Sequence, residues 1–353
     1  MNLKKLKKTF IVAEIGNNHE GSFNVACKLI NEAKKSGVDA VKFQTFKTEN
    51  FINFSEKKRF KKLKKFELSY ESFYKLSIIA KKKGLKFIST PLDIPSAIFL
   101  NKIVNCFKIS SGDNNYYELI KTVLNFNKPT FISTGLLNFS EIKNLLNFIR
   151  QNRFDLSKLS FLHCVSDYPV AFDQANVYSV EFLRKNLPLT IGYSDHTIGK
   201  EAPLIAVSLG AKIIEKHFTL NNNFSKFRDH KLSLNPDDMR EMVSSIRRVE
   251  LMIGIKEKKI QKGEAKNLSS LRRSIYTQNI INKDSTLSSS MIKILRPANF
   301  YKPNDLKKIL NKKLKKKYKK IKLLSLIFFN NFKLNILRKF YVWISRIYRI
   351  KKY

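Results

Sequence analysis

The sequence is short of acidic residues, of cysteine and of long apolar runs, and each shortage closes off a class of protein. Its 353 residues hold 68 Lys and Arg against 28 Asp and Glu, a formal charge of +40. Such an excess ordinarily marks a polyanionic partner, a nucleic acid or an anionic membrane. Here it is mostly Lys, spread in pairs such as Lys34-Lys35 and Lys57-Lys58 through a chain also rich in Asn, Ile and Phe. That distribution reads as compositional drift on solvated surfaces, so no nucleic-acid partner is expected. What survives is a positive field that favours small anionic substrates. Cys27, Cys106 and Cys164 lie in apolar segments with no paired spacing, which excludes a disulfide framework and points to reduced thiols in a cytoplasmic protein. The basic start MNLKKLKK turns polar too soon for a signal segment. The longest late apolar run, LLSLIFF, falls far short of the ~18 residues of a bilayer span.

What is present is a repeat. Short β-branched or aromatic runs occur at 10–14, 40–44, 86–90, 106–110, 130–134, 159–164, 189–194 and 211–217. Segments of helical period lie between most of them. In NVACKLINEAKKSG, Val25, Ala26, Leu29, Ile30 and Ala33 share one face, with Asn24 as cap and Gly37 as stop. Between His196 and His217, Pro203, Leu204, Ala206, Val207 and Leu209 form an apolar stripe that Gly210 ends. Alternating strands and helices imply a parallel sheet, and eight units in about 250 residues match a closed α/β (β/α)8 TIM barrel. An open doubly wound sheet ranks behind it, because no Gly-rich fingerprint follows the first strand.

Near residue 262 the texture changes. The pattern expects a barrel over 1–262, a polar linker over 263–271, a β-rich module of short strands and turns over 272–323, and a basic amphipathic tail over 324–353. The tail interleaves Phe, Leu, Ile and Trp343 with Lys and Arg, as a helix lying on a membrane surface does; packing on its own domain fits equally.

In a barrel, chemistry gathers at the C-terminal strand ends. Those ends carry Glu14, then Lys42 and Gln44, Thr90, Lys108 with Ser110 and Ser111, Ser133, His163, Ser194-Asp195-His196, and Glu215 with His217. Two lysines and several hydroxyls facing one cavity suit a phosphate or phosphate-plus-carboxylate ligand. Gly112 and Gly135 follow the hydroxyl clusters and admit backbone N–H groups to the anion. Two histidines at the ends of neighbouring parallel strands, His196 and His217, suit a divalent metal.

The stretches AEIGNNHEGSFNVACKLINEAKKSGVDAVKFQTF, ISTPLD, FKISSGDNNYYELI, HCVSDYP, IGYSDHTIG and IEKHFTL…FRDHKLS closely resemble the sialic acid synthase family, over about residues 9 to 310. The resemblance implies a TIM barrel followed by a small antifreeze-like (SAF) domain, acting as a domain-swapped homodimer with Mn²⁺, or Mg²⁺ or Co²⁺ in its place. It implies condensation of phosphoenolpyruvate with an N-acetylated amino sugar to a nonulosonic acid. By motif, Glu14, Glu215 and Asp195 are the catalytic carboxylates, and His196 and His217 the metal ligands. Lys42, Thr90, Lys108, Ser111, Ser133, Ser166 and Ser194 are the phosphoenolpyruvate side. Gln44, Tyr168, Asp229 and Arg296 are the sugar side, Arg296 reaching across to the partner subunit's sugar. The chain departs from the family at Ser166, where some members have Asn; at FRDHKLS, where Arg228 adds a charge; and at KKLKKKYKKIKLL, where the closing strand of the antifreeze-like domain is altered and the domain is expected to be incomplete. The motif set fits N-acetylmannosamine, its 6-phosphate or a 2,4-diacetamido-trideoxyhexose of the legionaminic or pseudaminic series as acceptor, and the Lys-rich segment 53–68 is expected to contribute to that choice. A metal-dependent aldolase and an inactive sugar-binding or membrane-associated scaffold are the competing readings.

Overall fold

The structure, a computed structural model, describes residues 2–319. These fall into two compact units, one ending at Ile255 and the other beginning at Lys256. In the first, eight parallel strands close into a barrel in chain order: β1 (Phe10–Gly16), β2 (Ala40–Thr45), β3 (Lys86–Pro91), β4 (Cys106–Ile109), β5 (Thr130–Ser133), β6 (Leu159–Cys164), β7 (Thr190–Asp195) and β8 (Ile213–His217). Each coincides with an apolar run seen in the sequence. The ring is sealed where β1 pairs β8, with Glu14 opposite His217.

Alternate side chains of each strand point into the barrel, and the inner set changes character with height. Low in the barrel Phe10, Val12, Ala40, Ile88, Cys106, Phe131, Leu162 and Ile213 pack together with Leu3. One step further along the strands stand Glu14, Lys42, Thr90, Lys108, Ser133, Ser194 and Glu215. An apolar plug therefore floors a polar ring. Gly192 belongs to this inner packing, since a Cβ there would sit 2.4 Å from Leu162 Cδ2 and 2.6 Å from Ile213 O.

Helices sheathe the outer face. The helix Phe23–Lys35 buries Ala26, Leu29, Ile30 and Ala33 against it, each Leu or Ile contributing about 1.5–3 kcal/mol. Its cap is Ser22 in place of the expected Asn24: Ser22 has the extended backbone a cap needs, and its Oγ accepts from Val25 N–H at 3.3 Å. Gly37, at φ +83°, and Gly210, at φ +100°, take the left-handed turns that end their helices, as the sequence indicates.

In the second unit, residues expected to be a linker form the helix Lys262–Leu271, started by a capping box between Gln261 and Glu264. No residue of that helix is buried, so it has no apolar face from which to be read. The module after it pairs β9 (Ser274–Thr277) with β10 (Ile292–Leu295) antiparallel, over a core including Ile275, Ile281, Leu287 and Ile309. The altered closing segment still contributes: Leu314 and Tyr318 are buried in this core, and Tyr318 bridges Ile281. The expected tail at 324–353 lies outside the described residues. Among the described residues no helix is long and apolar enough to cross a membrane.

Candidate active site

The polar ring opens into a cavity of about 600 Å³. Of the residues singled out in the sequence, Glu14, Lys42, Gln44, Thr90, Lys108, Ser111, Ser133, Tyr168, Ser194, His196, Glu215, His217 and Asp229 line it. Its floor is ionic. Lys42 Nζ lies 2.8 Å from Glu14 Oε1 and 3.8 Å from Glu215 Oε1, and donates to Thr90 Oγ1 at 3.1 Å. Lys108 Nζ is 3.1 Å from that same Glu215 oxygen, which also accepts from Ser194 Oγ at 3.0 Å. All four charged side chains are at most 5 % exposed.

The two carboxylates are driven apart. Burial pushes the Glu14 carboxyl above its ordinary range; Lys42 opposes the rise and Glu215 adds to it. Burial acts the same way on Glu215, but Lys108 and Lys42 outweigh it and hold that group at about 2. Burial would depress Lys42, and the adjacent Glu14 and Glu215 more than offset it, so its ammonium is favoured. One carboxyl is thus poised to carry a proton, while the other remains a fixed negative charge.

Beside the lysines stands a group of hydroxyls short of partners. Ser133 Oγ and Ser166 Oγ are buried without a hydrogen bond among the described residues, and Ser111 Oγ has only the Cys164 thiol beside it. Gly135 brings them together: a Cβ there would lie 2.4 Å from Ser166 Oγ and 2.6 Å from Ser111 Oγ. Asn114 Nδ2 pins this turn by donating to Gly135 O at 2.8 Å and Ser133 O at 3.2 Å. Each buried unsatisfied polar group costs about 1–3 kcal/mol. An anion that accepts from these donors removes that cost.

Across the cavity His196 and His217 stand with ring centroids 5.3 Å apart. His196 Nδ1 donates to Val165 O at 2.8 Å, which leaves its Nε2 lone pair for a ligand. His217 Nδ1 is buried with no hydrogen-bond partner among the described residues, and burial with the surrounding cations keeps this ring neutral, its pKa well below the ordinary value. Two facing imidazoles, the His217 ring neutral with an orphaned nitrogen and the His196 ring with Nε2 turned from its Val165 bond, fit a borderline divalent metal. Among the described residues no set of three or more His, Cys, Asp or Glu side chains is grouped to hold one, so water or a ligand oxygen must complete the shell.

The outer end is built by loops. Asn17 Nδ2 donates to Gln44 Oε1 at 2.8 Å and orients that amide. Tyr168 lies 4.1 Å from the His196 ring and under the Arg228 guanidinium at 4.7 Å, and Arg228 reaches Asp229 at 3.3 Å. Burial raises the Asp229 carboxyl, and Arg228 opposes the rise. The helix Lys57–Phe66, in the segment between β2 and β3, brings Arg59, Lys62 and Leu63 to the mouth, Lys62 resting on Phe227 at 4.5 Å. Asn17, Arg59, Lys62, Cys164 and Phe227 were not singled out in the sequence. Asn17, Cys164 and Phe227 sat within motifs that pointed here, and Arg59 and Lys62 within the Lys-rich segment 53–68.

Four expected residues are not in the lining. His163, turned outward between Leu162 and Cys164, bonds Ala175 O and faces a second pocket of about 420 Å³. Ser166 reaches the cavity wall only through the Gly135 turn, and its own loop faces that second pocket. Asp195 points away from the cavity, because Ser194 takes the inward position and side chains alternate; it pairs instead with Lys216 at 2.5 Å. A direct catalytic role for Asp195 is therefore corrected to a structural one. Arg296 follows β10 in the second unit, where it is exposed.

Comparison with known proteins fits this arrangement. The NeuB family model matches residues 29–258. An uncharacterised protein of Methanocaldococcus jannaschii is 42% identical over 88% of this chain and 91% of its own length. The N,N'-diacetyllegionaminic acid synthase of Campylobacter jejuni is 37% identical over 90% of this chain and 99% of its own. A solved N-acetylneuraminic acid synthetase of Leptospira borgpetersenii, in complex with citrate, superposes with a TM-score of 0.70 at 31% identity, over 74% of this chain and 90% of that one. With this barrel, its ionic floor and its paired histidines, the chain belongs to the NeuB family of nonulosonic acid synthases.

Proposed function

We propose that this protein joins phosphoenolpyruvate to the open-chain form of an N-acetylated hexosamine, adding water and releasing inorganic phosphate. The observation that carries this reading is the pair of buried hydroxyls short of partners, Ser111 and Ser133, in the same cavity as Lys42 and Lys108, with Ser166 Oγ behind the Gly135 turn. Donors left unpaired beside two buried ammonium groups suit a phosphate with an adjoining carboxylate. C3 of the enol bonds to the aldehyde carbon, a water oxygen adds at C2, and the C2–O bond to phosphate breaks. Glu14 accepts the proton of that water, because it is the carboxyl whose surroundings allow both protonation states. Glu215 stays anionic and fixes both lysines. A divalent cation on His196 and His217, Mn²⁺ with Mg²⁺ or Co²⁺ as alternatives, would polarise the aldehyde oxygen as a Lewis acid. Gln44, Tyr168 and Asp229 face the hexosamine. Arg296, exposed in the second unit, is free to serve a partner subunit in a homodimer.

The test is phosphate release from phosphoenolpyruvate by the purified chain with Mn²⁺. The similarity to a diacetyllegionaminic acid synthase makes 2,4-diacetamido-trideoxyhexose the first acceptor, with N-acetylmannosamine and its 6-phosphate beside it. Release that needs one of these sugars and stops with chelator is the expected result. Consumption of pyruvate in place of phosphoenolpyruvate, with the condensation product formed and no phosphate released, would move the chain to the aldolases.

The charge count of the floor, two lysines against two carboxylates, leaves no net attraction for a polyanion entering from water. Arg59 and Lys62 at the mouth supply it. Replacing both with Gln is expected to lower kcat/KM for phosphoenolpyruvate about 3–10-fold at low salt, with the difference fading near 0.5 M as the field is screened. A loss that persists unchanged at high salt would assign these side chains to direct contact instead.

A further inference from the structure

We infer that the buried Asp195–Lys216 pair is a positioning device for the two histidines and sets their affinity for a divalent cation; this rests on the reading of His196 and His217 as its ligands. Asp195 and Lys216 are register partners on β7 and β8, each directly preceding one of the histidines. Both point to the outer side of the barrel wall, opposite Ser194 and Glu215, where the surrounding layer is apolar. Neither side chain has any exposure.

Their hydrogen bonds converge on the backbone around His196. Asp195 Oδ1 accepts from Thr197 N–H at 2.9 Å, from Thr197 Oγ1 at 2.9 Å and from Tyr193 OH at 3.0 Å. Lys216 Nζ donates to Asp195 Oδ2 at 2.5 Å and to the Thr197 carbonyl. The peptide N–H after His196 is thus held by one partner and the next carbonyl by the other. Further bonds steady the same two residues: His196 O accepts from Val170 N–H at 3.0 Å, and His217 O from Leu234 N–H at 2.8 Å. With the β7–β8 ladder and the Ser194–Glu215 bond, the ion pair ties the His196 turn to the strand carrying His217.

A buried pair is a costly way to gain stability, because apolar residues of similar volume serve as well or better. Its value here is geometric. Two imidazoles with no third protein ligand among the described residues depend on their mutual spacing more than a closed set does, and groups behind the ligands typically govern metal affinity 10–100-fold. Removing one partner alone would strand a buried charge and can prevent folding. The test therefore uses the neutral double variant, Asp195→Asn with Lys216→Met, and compares it with Ile191→Ala, which lies on the same face of β7 four residues earlier.

Mn²⁺ titration of the full chain, followed by the electron paramagnetic resonance of the free ion, gives the affinity without any turnover. The double variant is expected to bind about 10–100-fold more weakly than its parent, while Ile191→Ala binds as the parent does. Parental affinity in the double variant overturns the inference, as does an equal loss in Ile191→Ala. His217→Ala separates this from the underlying reading. If it loses Mn²⁺ while the double variant keeps it, the ligands stand and the clamp falls. If it binds Mn²⁺ as the parent does, the ligand assignment falls and the clamp with it.

Discussion

A Glu14→Gln protein is expected to bind both substrates yet turn over about 10³-fold more slowly, within the span that general-base groups contribute. The argument rests on the unequal surroundings of two carboxyls that share Lys42. Glu14 is raised by burial, so its ionised form, the one able to accept a proton, grows as pH climbs through a value above the usual carboxylate range. The rate should rise along that limb and level off above it. Glu215, held at about 2, is ionised throughout and cannot produce the limb. Gln keeps the shape of Glu14 and does not titrate, so the residual activity should be flat where the parent's climbs. The measurement is kcat/KM for phosphoenolpyruvate from pH 5 to 8 in both proteins. The substrate's own phosphate titrates near pH 6, and a limb from that source would survive in the variant. A surviving limb with near-parental rate would remove Glu14 from the chemistry.

The barrel was legible because its physics is local. Each strand is a short apolar run bounded by helical period, and eight of them admit few arrangements other than closure. What escaped has equally physical causes. Ser22 outcompetes Asn24 as a cap through its extended backbone, which composition does not record. The helix Lys262–Leu271 has no buried face, so nothing separated it from a polar connector, and the first unit ends at Ile255 with no composition break. Leu314 and Tyr318 sit in a run so rich in Lys that its two core positions were hidden.

The site followed the same division. Polar residues at strand ends converge on one mouth, and the rule found the lysines, the carboxylates and both histidines. It failed at Asp195 for want of a second rule. Strand side chains alternate, so with Ser194 and Glu215 inward, Asp195 and Lys216 must turn outward. Arg59 and Lys62 were legible only as part of the Lys-rich segment 53–68, not as individual residues. Their helix has the composition of a solvated surface, and only the three-dimensional path between β2 and β3 brings it over the cavity. Ser166 shows the limit of motif reading: its contribution depends on a Gly135 turn that leaves no room for a side chain.

His217→Ala should fold as its parent does and lose Mn²⁺-dependent turnover by at least about 10³-fold, the rate equivalent of roughly 4 kcal/mol of lost charge stabilisation. Stability without metal is expected to change little. The imidazole fills space, but its Nδ1 is buried without a hydrogen-bond partner among the described residues, a cost of about 1–3 kcal/mol that truncation relieves. The two proteins should therefore melt within a few degrees of each other in chelator. Added Mn²⁺ should separate them. At a hundredfold excess over its dissociation constant a ligand stabilises by about 2.7 kcal/mol, which for a unit of this size raises the melting temperature by about 5–10 °C. The parent should show that rise and His217→Ala should not. If both proteins gain the same stabilisation, the cation binds elsewhere. Should neither gain any while the parent still releases phosphate in chelator, the aldehyde is polarised by Lys42, Lys108 and Tyr168 alone, and the orphaned nitrogen of His217 has some other partner.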